Sequence, residues 1–314
     1  MKATTPEVLR PRFRGCLMGV AVGDALGAPF EGGLAVTPEG WRRVAEGDER
    51  LRFTDDTHMT FGVAESLLAN LGFDGAHMAE TFVRDFDAEP WRGYGPGPPQ
   101  VFDRLKQGAA WDEAGRSLFG GRGSFGNGAA MRVAPVGLFF FRDFDEVTDV
   151  ARRTASITHA HELGMEGAAA QACAVALALR SDADIDARRF IDSLLEQVGV
   201  PEMTDAIARV GAVVDHPSPD VVARTIGNGI EAVEAVPAAL AAFLARPESF
   251  ADAVGFAISL GGDTDTIGSM TGALSGALLG EDAIPRLWRG RVEGAPSMAR
   301  VADGLFAAVA ERKS

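Results

Sequence analysis

The chain has 314 residues, 46% of them hydrophobic, and a formal net charge of −14. A chain of this size and apolar content buries a sizeable core, as one large domain or two ordinary ones, and is not a disordered chain. The acid excess excludes a nucleic-acid surface, which needs a basic stripe; a small anionic ligand stays open, received by backbone N–H groups or bound cations.

In chain order, the opening stretch MKATTPEVLRPRFRG lacks the apolar centre of a signal peptide. Residues 11–25 start on a proline and set Leu17, Val20 and Ala21 on one face, a helix pattern. The helix end GDALGAPFE carries Asp24, suited to capping or supporting its turn, and runs into Glu31. Residues 31–52 read as irregular. The stretch FTDDTHMT (53–60) puts Thr54, Asp55 and Asp56 directly before a helix over 57–69, in which Phe61, Ala64, Leu67 and Leu68 recur at helical spacing. Glycine and proline make loops of residues 89–100, with RGYGPG, and of residues 120–128, which enter GSFGNGAAMR. The best strand candidate is APVGLFFF (134–141), although one apolar run does not separate a strand from a buried helix. After THAH (158–161), residues 165–180 predict a helix buried all round; its apolar run is too short and alanine-rich to span a membrane. Further helices are predicted over 186–197, 204–213, 237–246, 249–259, 266–280 and 297–312. Cys16 and Cys173 sit in apolar surroundings, as buried thiols do, which makes a cytoplasmic location the default. No linker or repeat divides the chain, so a single domain over 1–314 is expected.

Glycine recurs every four residues in two helix patterns, at Gly15, Gly19, Gly23 and Gly27 and at Gly268, Gly272, Gly276 and Gly280. Such rows let helix backbones approach closely, so both helices are expected to lie at short distance from other helices.

The chemistry concentrates in two matching clusters, TDDT and GGDTDT. Asp and Thr are ordinary N-cap and first-turn residues, but a cap needs one carboxylate, and adjacent aspartates repel. Asp263 and Asp265, two apart, do not share a helix face; they converge only in a turn, which Gly261 and Gly262 permit, with Thr266 at the helix entrance. Four carboxylates and two hydroxyls form a hard oxygen set suited to Mg²⁺, Mn²⁺ or Ca²⁺, and four carboxylates exceed the need of one ion. His58 reads as packing or support. RGYGPG, with the lone Tyr94, permits the close backbone approach of a phosphate loop, yet lacks the Walker lysine. GSFGNG presents Ser124, Phe125 and Asn127 around a ligand or forms an ordinary turn. His159 and His161 are wrongly spaced for joint metal binding from a helix. An aspartate-based phosphatase or a DxD sugar transferase fits less well, since both expect strands.

Six ordered blocks between residues 15 and 280 resemble the ADP-ribosylglycohydrolase family: GCLMGVAVGDALGAPFE, FTDDTHMT, RGYGPG, GSFGNGAAMRVAPVGL, ITHAH and SLGGDTDTIGSMTGALSGALLG. The loops look most like the branch acting on serine-linked ADP-ribose and poly(ADP-ribose); an arginine-specific branch shares the metal motifs. The resemblance implies an all-α fold, a compact orthogonal multi-helix bundle with a central dinuclear cleft holding two Mg²⁺ (or Mn²⁺). It implies Thr54, Asp55, Asp56, Asp263, Asp265 and Thr266 as metal ligands. Glu31, in a mobile loop, is implied as the catalytic carboxylate, with Asp55 or Asp56 assisting the water. Gly93, Tyr94, Gly95 and Gly97 would hold the diphosphate through backbone amides. Gly123, Ser124, Phe125, Gly126 and Asn127 would line the ribose, phosphates and adenine, with His159 near the ligand. The implied activity is release of ADP-ribose from ADP-ribosylated protein or poly(ADP-ribose) by a protein acting as a monomer, without nucleic acid or membrane. A non-catalytic ADP-ribose-binding module is the non-enzyme alternative; this chain keeps all six ligand positions and Glu31. The expectation to check is that the four aspartates meet in one cleft faced by Glu31.

Overall fold

A computed structural model describes residues 5–182 and 184–312; the single-domain reading of 1–314 and the opening polar stretch extend beyond these. The described residues form seventeen α-helices. In the first half these are α1 (Pro6–Gly27), α2 (Pro38–Glu46), α3 (Asp55–Asn70), α4 (Gly75–Ala88), α5 (Gly97–Lys106), α6 (Leu118–Gly121), α7 (Ala134–Phe139) and α8 (Phe144–Ser156). The second half adds α9 (Glu162–Arg180), α10 (Ala187–Leu195), α11 (Pro201–Val213), α12 (Pro219–Thr225), α13 (Ala232–Ala245) and α14 (Phe250–Ser259). The last three are α15 (Thr264–Leu279), α16 (Arg286–Arg291) and α17 (Ala295–Glu311). No strand occurs among the described residues; isolated bridges tie Gly33 to Gly262, Leu51 to Val292 and Gly126 to Glu231. The all-α expectation holds.

Local chemistry starts many of these helices. The side chains of Thr37, Asp74, Asp143, Asp186, Ser218 and Ser249 each accept a first-turn N–H. Proline opens α2, α5, α11, α12 and α17, where its missing N–H costs nothing.

At the centre, α1 and α15 run antiparallel with their backbones in contact. A Cβ added at Gly19 would stand 2.0 Å from the Gly272 carbonyl oxygen, and one at Gly23 would stand 2.0 Å from that of Gly268. The same register pairs Gly15 with Gly276 at 2.4 Å and Gly27 with Thr264 at 2.2 Å. The two glycine rows therefore face each other. Around this pair, α15 packs on α9, α13 and α14, and α1 on α17 and α3. Cys16 and Cys173 are buried free thiols.

Three readings change. Residues 134–141 hold helix α7, not a strand: Pro135 sits in its first turn, and the run is apolar because every residue from Ala134 to Phe139 is buried. The stretches 31–52 and 89–100, read as irregular, hold α2 and the start of α5, because their prolines open helices. Pro237, taken as the start of a helix, lies inside α13.

Gly19→Ala should destabilise the protein by about 1–3 kcal/mol or more, because backbone cannot yield to the new methyl group. Gly211→Ala, in α11 with open space around it, should be neutral or stabilising by about 0.5–1 kcal/mol. Urea unfolding midpoints of the two variants check the contrast.

Candidate functional site

The α1–α15 pair sets the site by fixing two helix ends beside each other. Asp24, near the end of α1, is fully buried. Its carboxylate accepts the N–H of Thr54 at 3.0 Å, the N–H of Thr57 at 3.1 Å and the hydroxyl of Thr57 at 2.6 Å. The N-terminus of α3 is thus capped by a carboxylate from another helix. Burial raises Asp24 to about 6 against the pull of these bonds. Asp24, read as support for its own turn, instead docks α3.

Thr54 is the N-cap of α3, with Asp55 and Asp56 in the first turn. Asp56 joins the two clusters: its Oδ2 accepts from Thr54 Oγ1 at 3.4 Å and from Thr266 Oγ1 at 3.5 Å. Its Oδ1 is buried with no hydrogen-bond partner. Asp263 occupies the N-cap position of α15 and Asp265 its first turn. Because Asp263 stands off the helix, the spacing of two does not separate the pair. Gly261 and Gly262 make the turn with φ of +70° and +69°. Glu31, Asp263 and Asp265 each place a carboxylate oxygen within 4.8 Å of the others. Glu31 reaches them because its loop is tied to the same turn: Gly32 N–H donates to Gly262 O at 2.8 Å and Gly262 N–H to Gly33 O at 3.0 Å. Asn127 Nδ2 donates to Asp263 Oδ2 at 2.5 Å, bringing the GSFGNG loop to the acidic group. Thr264, between the aspartates, turns away and donates to Gly27 O at 2.9 Å.

This much buried carboxylate resists ionisation. Burial, then neighbouring charge, raises Asp55 to about 7 and Asp265 to about 9. Asp56 and Asp263 are also pushed up, by burial first. Glu31 is exposed at its edge, yet burial of its head and the charge of Asp263 raise it too. Helix N-termini at Asp55 and Asp265 offset part of the repulsion. The donors are all hard oxygens, and the partnerless Asp56 Oδ1 lies among them; both features fit a hard cation.

The acids form one wall of a cleft of about 950 Å³, including its open mouth, a size typical of small-molecule sites. Gly93, Gly95 and Gly97 line it, as do Ser124, Gly126, Asn127 and His159. A Cβ on Gly93 would lie 3.8 Å from Asp55 Oδ1, so this loop runs beside the acids. The Tyr94 side chain leaves the cleft: its hydroxyl meets His58 Nδ1 at 2.9 Å and its ring meets Phe86 edge-on at 5.0 Å. Tyr94 is not among the residues that line the cleft, although its neighbours Gly93 and Gly95 are, and His58 packs as expected. Phe125, expected by the adenine, is not among the residues lining the cleft; it is 43% exposed and lies against the His161 ring. Gly123, with φ of +74°, packs on the His161 backbone, and His161 caps α9. The cleft also holds Phe119, Met131, Arg132, Thr158 and Ile230, none of which the sequence reading chose. Arg132 and Thr158 end or begin quoted motifs, which was the available signal. Phe119 has φ of +51° beside two glycines, a conformation no composition pattern reveals.

The sequence model of one family, ADP-ribosylglycohydrolase, matches residues 5–314. ADP-ribosylhydrolase ARH3 of Mus musculus is 36% identical, over 90% of this chain and 88% of its own. ADP-ribosylhydrolase ARH3 of Danio rerio is 35% identical, over 97% of this chain and 92% of its own. A solved structure described as an ADP-ribosylglycohydrolase-related protein complex superposes with a TM-score of 0.77 at 26% identity, covering 96% of this chain and 99% of that one.

The raised carboxylates set a pH dependence. The folded chain keeps protons that the unfolded chain, with carboxyl pKa near about 4, has released. Their contribution to stability therefore falls as pH rises from about 4 through the values near 7 and 9 at Asp55 and Asp265. A cation favours the ionised forms, so millimolar Mg²⁺ or Mn²⁺ should raise the melting midpoint more at pH 8 than at pH 5. Equal shifts at both pH values, or none, in a thermal scan against a chelated control would contradict this.

Proposed function

The chain belongs to the ADP-ribosylglycohydrolase family, and on that premise we propose that it is a metal-dependent hydrolase releasing ADP-ribose from serine-modified protein and from poly(ADP-ribose). Membership makes it a hydrolase of ADP-ribosylated substrates. The finer reading is ours: two Mg²⁺ ions, exchangeable for Mn²⁺, held by Thr54, Asp55, Asp56, Asp263, Asp265 and Thr266. The observation that carries it is the meeting of the two Thr/Asp clusters at Asp56, with Glu31 beside Asp263 and Asp265, in a cleft that the glycine loops also line.

Hydrolysis breaks the bond from the anomeric carbon to the leaving oxygen, which keeps the electron pair and takes a proton. Water adds to the carbon and loses one. The transition state is oxocarbenium-like. Glu31, its pKa raised by burial and by the charge of Asp263, would transfer the proton, with Asp55 or Asp56 assisting the water. Bound cations would supply Lewis acidity and fix ribose hydroxyls. The loop at Gly93–Gly97 would offer backbone N–H groups to the diphosphate, and α5 begins at Gly97 in the same lining. In the second loop the N–H groups of Gly126 and Asn127 are taken by Ser124 Oγ and Ile230 O, which leaves side chains to face the ligand. Remote binding of this kind aligns the scissile bond.

The phosphatase reading loses its premise, since GGDTDT opens helix α15 and follows helix α14. We read the working unit as one domain and a monomer; the cleft lining draws on residues from Glu31 to Thr266 along the chain. No described helix is long and apolar enough to cross a membrane; the cytoplasmic reading rests on composition.

Rigorous chelation should abolish ADP-ribose release and Mg²⁺ or Mn²⁺ should restore it; full activity in chelator would remove the metal from the reading. Glu31→Gln should keep ADP-ribose binding while turnover falls about two orders of magnitude or more. A panel of serine-, arginine- and poly-ADP-ribose substrates should favour serine and polymer; preference for arginine would move the chain to the other branch.

A further inference from the structure

Arg132 has the largest fully buried side chain in the described protein. Its guanidinium is held by neutral groups: Nη2 donates to Thr158 Oγ1 at 2.8 Å and to Thr154 O at 3.3 Å, Nη1 points at Met59 Sδ at 3.7 Å, and the group lies 4.7 Å over the Phe82 ring. Burying a cation among neutral partners is costly. Burial lowers Arg132 to about 9, so it stays charged at neutral pH. Nothing in the hydrolysis as derived above uses it.

The hydrogen bonds beyond it give it a use. Thr158 Oγ1 also meets His159 Nδ1 at 2.8 Å. Guanidinium has donors and no acceptor, so Thr158 Oγ1 accepts from Arg132 and cannot pass its own proton back. The hydroxyl's other hydrogen-bond partner is His159 Nδ1, the one group of the two able to accept that proton, which directs the proton to Nδ1. A neutral His159 then carries its proton on Nε2. The opposite ring edge sits in a glycine notch of the cleft: a Cβ on Gly128 would come within 2.9 Å of Nε2, and one on Gly126 within 3.6 Å. The backbone N–H groups of Thr158 and His159 both donate to Ala155 O, at 3.0 and 2.7 Å, which fixes the base of the ring. Burial and then the Arg132 charge oppose protonation, lowering His159 to about 3.

We propose that Arg132 is a positioning residue that, through Thr158, fixes His159 as a neutral ring donating from Nε2 to an oxygen of the ligand in the cleft. The identity of that ligand as ADP-ribose rests on the functional reading above; the direction of the relay does not. A buried asparagine or water at this place could reverse its hydrogen bonds and release the ring to either tautomer. A buried cation cannot.

The test is the ¹⁵N spectrum of histidine-labelled, ligand-free protein at neutral pH, with His159 assigned by loss of its signals in His159→Gln. The wild type should show Nε2 protonated and Nδ1 bare. Thr158→Val, nearly isosteric, should show mixed tautomers and bind ADP-ribose about ten-fold more weakly. Thr158→Ser should restore both the spectrum and affinity to within about two-fold, since the hydroxyl remains. A wild-type ring protonated on Nδ1 or on both nitrogens would overturn the relay, and that spectrum needs no variant to fold. A Thr158→Val protein with wild-type spectrum or wild-type affinity would overturn it as well. Wild-type protein that binds no ADP-ribose would sink the functional reading instead, while the ligand-free spectrum would still decide the tautomer.

Discussion

The contact of two bare backbones, α1 against α15, is the constraint on which the rest depends. Glycine on both surfaces lets the Gly19 and Gly272 backbones touch, with no side chain between. This brings the end of α1 beside the start of α15, Gly27 against Thr264. Three site elements hang from that junction. Asp24 on α1 seats the start of α3, the Gly261–Gly262 turn enters α15, and the Glu31 loop leaves α1 and folds back to that turn. A wider helix pair would separate Asp56 from Thr266, and the two Thr/Asp clusters would be only two helix caps.

The same closeness gathers carboxylates that repel one another. The fold meets this with helix N-termini, with the amide of Asn127 on Asp263, and with protons held by Asp55 and Asp265 well above ordinary carboxyl values. A hard cation would replace those protons. On the proposed reading an anion would be met by the backbone of the glycine loops, while Arg132, fully buried, holds its place among neutral partners. An acidic protein can in this way present a locally positive pocket.

Much of this was legible in the sequence, and for physical reasons. Glycine every fourth residue has few uses other than helix contact, so the two rows announced close helix packing, although not that each row would be the other's partner. Two Thr/Asp clusters at helix starts gave the acids, because capping alone needs fewer charges. What failed was boundary reading near proline. Pro38, Pro98 and Pro135 lie in the first turns of helices, where a loop or a strand had been read, while Pro237 lies inside one. Tyr94 was chosen for its glycine neighbours, yet its ring serves the core, since a loop's composition says nothing of which way its side chain turns. Arg132 was passed over, and Asp24 was read as serving its own turn, because their partners, Thr158 and Thr57, are distant in sequence. Long-range hydrogen bonds leave no local pattern.

The pairing of α1 with α15 also orders events in time. Synthesis makes Asp24, Asp55 and Asp56 about two hundred residues ahead of Asp263 and Asp265. Until α15 emerges, the first cluster has no second cluster to repel it. The proton-holding arrangement therefore cannot form until α15 has been made. Contacts so distant along the chain make for slow closure. The step that seats α15 on α1 is then also the step that joins the two acidic clusters, and a chain that stalls short of it carries only ordinary helix caps.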